Sequence, residues 1–148
     1  MSQQDTKTTE EMPRIFLREN VTILIAEDDR GHYRLTQSCL REASIKNEII
    51  WFEDGQATLD FLDKPENREK EKRFLMLLDV RMPKVDGLEV LQKIKKDPKL
   101  EDIIVIMLTT SDDQDLAHQC YALGCEAHIV KPPGRVLLKA IERVSRYL

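Results

Sequence analysis

Two apolar patterns alternate along the chain. Val21–Ala26, Phe74–Leu78, Ile103–Leu108 and Ala127–Val130 are short, nearly unbroken apolar runs, and Glu48–Phe52 carries a weaker one. Between them, apolar residues recur every three or four positions. Short continuous runs read as strands buried on both faces, and the longer period reads as helix. The first helix is predicted over residues 30–43, with Leu35, Cys39 and Ala43 as its stripe and Asp28 or Asp29 as its cap. Asp54-Gly55 turns the chain into a second helix that ends near Leu62. Residues 63–73 read as a charged, solvated loop. Asp86-Gly87 precedes a third helix with Leu88, Leu91 and Ile94 inward, and Pro98 closes that region. A fourth helix covers residues 112–123 and stops at Gly124. Pro132-Pro133 opens a fifth that reaches Tyr147, with Val136, Leu137, Ala140, Ile141 and Val144 as its apolar set.

Strict alternation of five strands and five helices predicts a parallel sheet with helices on both faces. The order 2-1-3-4-5 places strands one and three together at the switch point, where ligands bind beyond the carboxyl ends of the strands.

Those carboxyl ends carry the chemistry. Strand one runs into Glu27-Asp28-Asp29, strand three into Asp79, strand four into Thr109 and strand five into Lys131. Parallel neighbours bring these groups to one place. Two carboxylates ~5 Å apart at an effective dielectric of ~20 repel by ~3 kcal/mol, so three together call for a cation. An all-oxygen set suits Mg²⁺. Asp28 and Asp79 can ligate it directly, Glu27 can hold a metal-bound water, and the backbone carbonyl of Arg81 is in reach. Asp79 can also act as a nucleophile that forms an acyl phosphate. The Lys131 ammonium and the Thr109 hydroxyl would then take further phosphoryl oxygens.

Each group has an ordinary reading when taken alone. Asp28-Asp29 can simply cap a helix, Lys131 can be a solvated surface charge, and Thr109-Thr110-Ser111 can be a helix start with Ser111 as its cap. Asp79 resists such a reading, because Val80-Arg81-Met82-Pro83 does not begin a helix. The set in chain order is far more specific than any member.

Composition narrows the class. With 148 residues and a net charge of -4, the chain suits one globular domain without the basic face that direct nucleic-acid binding requires. No apolar stretch approaches a membrane span or a signal-peptide core, so the expected location is cytoplasmic and no membrane partner is implied. Three cysteines, an odd number, fit reduced thiols. His118, Cys120, Cys125 and His128 do not have a zinc spacing. Residues 1–20 are expected to form an N-terminal tail, mostly disordered up to about residue 12, with Ile15, Phe16 and Leu17 able to pack loosely. The domain proper is expected over residues 21–148.

Ile-Leu-Ile-Ala-Glu27-Asp28-Asp29, Leu-Leu-Asp79-Val-Arg-Met-Pro83-Lys-Val-Asp-Gly87, Met-Leu-Thr109-Thr110 and Ile-Val-Lys131-Pro132 together resemble the response-regulator receiver domains of two-component signalling. The resemblance runs from about Val21 to the C-terminus. It implies a flavodoxin-like (βα)5 fold, Mg²⁺ at the acidic pair, phosphorylation of Asp79 by a histidine kinase, and a cis peptide at Lys131-Pro132. A finer likeness is carried by Tyr33-Arg34-Leu35-Thr36-Gln37, Lys96-Asp97-Pro98-Lys99-Leu100 and Leu108-Thr109-Thr110-Ser111. These segments resemble the stand-alone receivers associated with phytochrome-type sensor kinases.

Three positions depart from the family pattern. His128 stands where receivers often carry a Tyr or Phe that swings inward as the threonine hydroxyl binds phosphate, so Thr109 and His128 form the expected switch pair. Thr110 replaces a small residue, and Arg81 can overhang the site. Both are expected to tune phosphorylation and hydrolysis rates.

The output implied is a shifted face of helix four, strand five and helix five. It would be read by the kinase, a phosphotransferase, a downstream protein target or a second copy of the chain. Rival readings are weaker. A dehalogenase-like aspartyl-phosphate hydrolase wants a second Asp two residues past the nucleophile, where Arg81 stands. A flavodoxin wants a phosphate-binding loop where Glu27-Asp28-Asp29 would repel phosphate. A receiver-shaped interaction domain would not need Asp79, Thr109 and Lys131 together. The expectation is a signalling module and not an enzyme.

Overall fold

The computed structural model describes residues 13–148. Ten main elements alternate: β1 (Val21–Ala26), α1 (Arg30–Glu42), β2 (Ile49–Phe52), α2 (Gly55–Asp63), β3 (Arg73–Asp79), α3 (Gly87–Lys96), β4 (Ile104–Thr109), α4 (Gln114–Leu123), β5 (Ala127–Val130) and α5 (Arg135–Val144). All strand pairs are parallel and their order is β2-β1-β3-β4-β5, as the alternation predicts.

The sheet separates two apolar layers. Ile23, Ile25, Leu75, Leu77, Ile106 and Leu108 face α1 and α5, whereas Leu24, Ala26, Met76, Leu78, Val105 and Met107 face α2, α3 and α4. β3 and β4 are buried on both faces after Arg73, which is why they read as continuous apolar runs.

Four helices begin at an aspartate. Asp29, Asp54, Asp86 and Asp113 each accept a backbone N–H of the first turn, from His32, Ala57, Glu89 and Asp115 respectively. Asp29 rather than Asp28 caps α1. Asp113 rather than Ser111 caps α4, while the Ser111 hydroxyl accepts the Asp113 N–H one turn earlier. Gly124 closes α4 at a φ of 108°, a conformation that glycine adopts without strain.

The helix stripes differ in phase from the sequence reading. Leu35 is 55% exposed, and α1 buries Thr36, Cys39 and Leu40, with Ala43 just beyond its end. These positions follow i, i+3, i+4, i+7, so the helix turns a threonine inward and leaves the leucine outside. Val136 is likewise 65% exposed, and Leu138 takes its place in the core beside Leu137, Ala140, Ile141 and Val144. In α3, Val90, Leu91 and Ile94 are buried and Leu88 only half so. The buried residues of α5 are thus spent on the sheet, and Val136 is left outside.

Two connections are more ordered than expected. Residues 63–73 contain a short 3-10 turn at Pro65–Asn67. Asn67 is buried and donates to the Phe61 carbonyl, and Arg68 pairs with Asp97 at 2.7 Å. Ahead of β1, Ile15 and Leu17 join the α1–α5 layer, and the Ile15 N–H donates to the Ala43 carbonyl at 2.9 Å. The packed body therefore begins before Val21. The disorder expected of the first twelve residues falls outside the described residues. Among those described, no helix is long and apolar enough to cross a membrane.

Candidate functional site

The register carries the chain-end chemistry to the middle of the sheet. Asp79 closes β3 between β1 and β4, opposite Leu108, and Glu27 follows β1 directly. Glu27, Asp28 and Asp79 each offer a carboxylate oxygen, and these oxygens lie within 4.8 Å of one another. Glu27 and Asp79 are buried, whereas Asp28 faces out. Among the described residues this is the one such acidic, His or Cys cluster. The zinc combination of His118, Cys120, Cys125 and His128 does not assemble, and the three cysteines are buried free thiols.

One cation compensates the cluster. The buried Lys131 side chain forms a close ion pair with Glu27 and stands 3.4 Å from Asp79 Oδ1. That is insufficient for three acids. Burial first, and the neighbouring Glu27 second, push the Asp79 carboxyl up to about 6, against the lowering pull of Lys131. An all-oxygen set with surplus negative charge fits a hard divalent ion such as Mg²⁺ or Mn²⁺.

Backbone packing fixes Asp79 from behind. The Gly87 N–H donates to the Val80 carbonyl at 2.7 Å, and a Cβ on Gly87 would come within 2.1 Å of the Asp79 carbonyl oxygen. Only glycine lets α3 start so near the strand end.

Across β4, Thr109 is buried and its hydroxyl accepts the Ser111 N–H at 3.1 Å. The Lys131 N–H donates to the Thr109 carbonyl at 2.7 Å, and the Lys131–Pro132 peptide is cis, as the resemblance implied. Thr110 is exposed and lines a cavity of about 150 Å³ with His32, Leu35, Lys131, Pro132 and Pro133. Arg81 is exposed just beyond Asp79.

His128 is not an exposed strand-end residue. It is half-buried on β5, paired with Met107, and its Nε2 is buried without a partner. Burial lowers its pKa. Its backbone N–H donates to the Tyr121 hydroxyl of α4 at 3.1 Å.

Sequence reasoning missed two neighbours of the site. His32, in the first turn of α1, places Nδ1 3.3 Å from Lys131 Nζ and 3.9 Å from Glu27 Oε2. Trp51, on the edge strand β2, donates its indole N–H to the Glu27 carbonyl at 2.7 Å. A histidine five positions past Glu27 and a half-buried tryptophan in need of an acceptor were the available signals.

The model of the "Response regulator receiver domain" family matches residues 23–142. Response regulator Rcp1 of Synechocystis sp. is 39% identical over 127 residues, covering 84% of this chain and 86% of that protein. The structure of its Mn²⁺-bound form superposes with a TM-score of 0.67 at 33% identity, covering 85% of this chain and 92% of that one. The bacteriophytochrome response regulator AtBRR has a TM-score of 0.71 at 36% identity, covering 85% and 91%. The phosphorylated cyanobacterial phytochrome response regulator RcpA has a TM-score of 0.69 at 30% identity, again covering 85% and 91%. The fold, the order of its strand-end residues and these likenesses agree: the chain belongs to the response regulator receiver domains of two-component signalling, and it is similar to receivers of the phytochrome-associated kind.

Proposed function

We propose that the chain is a phosphoacceptor response regulator in which Asp79 receives a phosphoryl group from a histidine kinase. The observation that carries this reading is the convergence of Glu27, Asp28 and Asp79 within 4.8 Å, with Lys131 Nζ 3.4 Å from Asp79.

An Asp79 oxygen attacks phosphorus, a new O–P bond forms, and the N–P bond of the donor phosphohistidine breaks with its electron pair leaving on the imidazole. Asp28, Asp79 and the Arg81 backbone carbonyl would hold Mg²⁺, with Glu27 on a bound water. When bound, the ion supplies charge neutralisation for the transferring phosphoryl group. Lys131 offers its ammonium to one phosphoryl oxygen and Thr109 its hydroxyl to another. The hydroxyl can donate to phosphate while it still accepts the Ser111 N–H, so Thr109 carries that bond with it as it turns toward the phosphoryl group, which moves the β4–α4 connection. His128, one strand over, follows as the second part of the switch, on the α4–β5–α5 side. Arg81 and Thr110, exposed at the mouth, tune access and phospho-lifetime.

The Mn²⁺-bound structure of Rcp1 and the phosphorylated structure of RcpA support metal and phosphoryl binding at this family's site. The likeness to receivers named for phytochromes supports a sensor kinase of that type as donor, with a protein target or phosphotransferase as reader. The domain acts as a signalling module and not as a metabolic enzyme, in the cytoplasm.

Acetyl phosphate with and without Mg²⁺, followed by intact mass, tests the reading. The expected result is a single Mg²⁺-dependent phosphorylation that Asp79→Asn abolishes. Modification that persists in Asp79→Asn, or rapid turnover of many phosphodonor equivalents, would overturn it.

A further inference from the structure

The acidic loop is an unusual piece of backbone. Only Glu27, Asp28 and Asp29 separate β1 from α1, and all three repel one another. Such a loop needs bracing from outside itself. Part of the brace is expected of any parallel neighbour: the Glu27 N–H donates to the Phe52 carbonyl at 2.9 Å. The rest comes from side chains of this sequence.

Trp51 lies next to Phe52 on β2, and its indole N–H reaches the Glu27 carbonyl at 2.7 Å. The indole is itself held. The Tyr33 ring stacks on it with centroids 4.3 Å apart and planes within 3°. The Arg30 guanidinium carbon sits 5.8 Å from the ring centre. Both partners belong to the first turn of α1, and the Tyr33 N–H donates to the Asp29 carbonyl at 3.0 Å. The stack therefore ties the edge strand to the helix that leaves the loop.

The Glu27 carbonyl shares a planar peptide unit with the Asp28 nitrogen. Fixing that oxygen fixes the Asp28 backbone as well. Asp28 is the exposed member of the carboxylate cluster, so its direction depends on that backbone.

We propose that Trp51 is a positioning residue for the acidic loop: its indole N–H, steadied by Tyr33, fixes the Glu27–Asp28 peptide and so sets the affinity of the carboxylate cluster for a divalent cation. This rests on the reading of that cluster as a metal site. Groups that hold a metal ligand in place typically cost about ten-fold to a hundred-fold in affinity when removed; Trp51 acts one step further out, through the Glu27–Asp28 peptide, so the lower end, about ten-fold, is expected. Trp51 is the single tryptophan of the chain, so its own emission reports on the bond.

The test is a Mn²⁺ titration read by the EPR signal of free ion, on the wild-type protein, Trp51→Phe, a protein carrying benzothienylalanine at position 51, and Asp28→Asn. Benzothienylalanine keeps the shape and the stack and lacks the N–H, so it separates positioning from folding. Both N–H-free proteins should bind Mn²⁺ about ten-fold more weakly than wild type. Mg²⁺ should change wild-type tryptophan emission saturably, and Asp28→Asn should remove that change. If benzothienylalanine leaves Mn²⁺ affinity within about two-fold of wild type, the Trp51 proposal fails and the metal reading stands. If the wild-type protein binds no Mn²⁺, both fail together.

Discussion

The two sides of the Asp79 pocket are built differently. On the β1 side, the acidic loop is tied through its first and last residues. Glu27 uses its N–H, its carbonyl and both carboxylate oxygens, and Asp29 caps α1. On the β4–β5 side, Lys131 is tied to Thr109 and Glu27, but the side-chain ties of the β4–α4 connection are local and serial: Ser111 N–H to Thr109, Asp113 N–H to Ser111, Asp115 N–H to Asp113. His128 has a buried ring nitrogen with no partner among the described residues. One side is organised before any ligand arrives. The other holds short-range bonds that can be exchanged singly and a polar atom that gains by moving. The proposed function, with binding on one side and switching on the other, would draw on this asymmetry.

The sharpest way to break the organised side is to remove its cation. Lys131→Met should destabilise the metal-free protein by about 3–5 kcal/mol, because Glu27 and Asp79 then face each other buried and unpaired. Urea denaturation measures the loss, and Mg²⁺ should stabilise this variant more than the wild type. Equal stability of the two proteins without metal would refute the charge balance described.

Asp79→Asn tests the same balance from the opposite sign. The Asp79 carboxyl sits at about 6 in the folded protein, against an ordinary value of 3.8. Its charged form therefore opposes folding. The opposition is absent below about pH 4, grows as pH rises through about 6 and is constant above, at about 2–3 kcal/mol. The Asn variant should be more stable than wild type by that amount at pH 8 without metal, and no more stable at about pH 4. Mg²⁺ should bind wild type more tightly as pH rises through the same range, since the carboxyl must lose its proton.

The looser side is probed by a smaller change. His128→Phe removes the unpartnered nitrogen and should gain about 1 kcal/mol. Structures of the wild-type protein with and without beryllofluoride sharpen the point. An imidazole that keeps its position in both would remove His128 from the switch, leaving Thr109 alone.

Much of this asymmetry was hidden in the sequence, and for a physical reason. The strands were legible because β1, β3 and β4 are buried on both faces and must be apolar throughout. The strand-end acids were legible because parallel neighbours align like ends. The phases of α1 and α5 were not, since hydropathy favours Leu35 over Thr36 and does not choose between Val136 and Leu138, whereas the sheet selects by angle around the helix. The contacts of Trp51 with Glu27 and of His32 with Lys131 join residues from different elements, and nothing in local periodicity encodes which rotamer bridges them. Asn67 was missed in the same way, since its burial is decided by the surface it lands on, whereas Ile15 and Leu17 were legible as packing residues and only the tightness of their burial was not.

The strand order has an evolutionary consequence. The acids and the threonine proposed to do the chemistry end β1, β3 and β4, whose interiors tolerate little change, because any altered volume there opens or overfills the core, and only Lys131 comes from the end of a rim strand, β5. Trp51 and His128 lie on the two rims, β2 and β5, where side chains are half in water. Mutation can rewrite those rims at small cost to folding. Metal hold and switch response can then drift independently of each other and of the central aspartate, so that one scaffold can be retimed for different signals without being rebuilt.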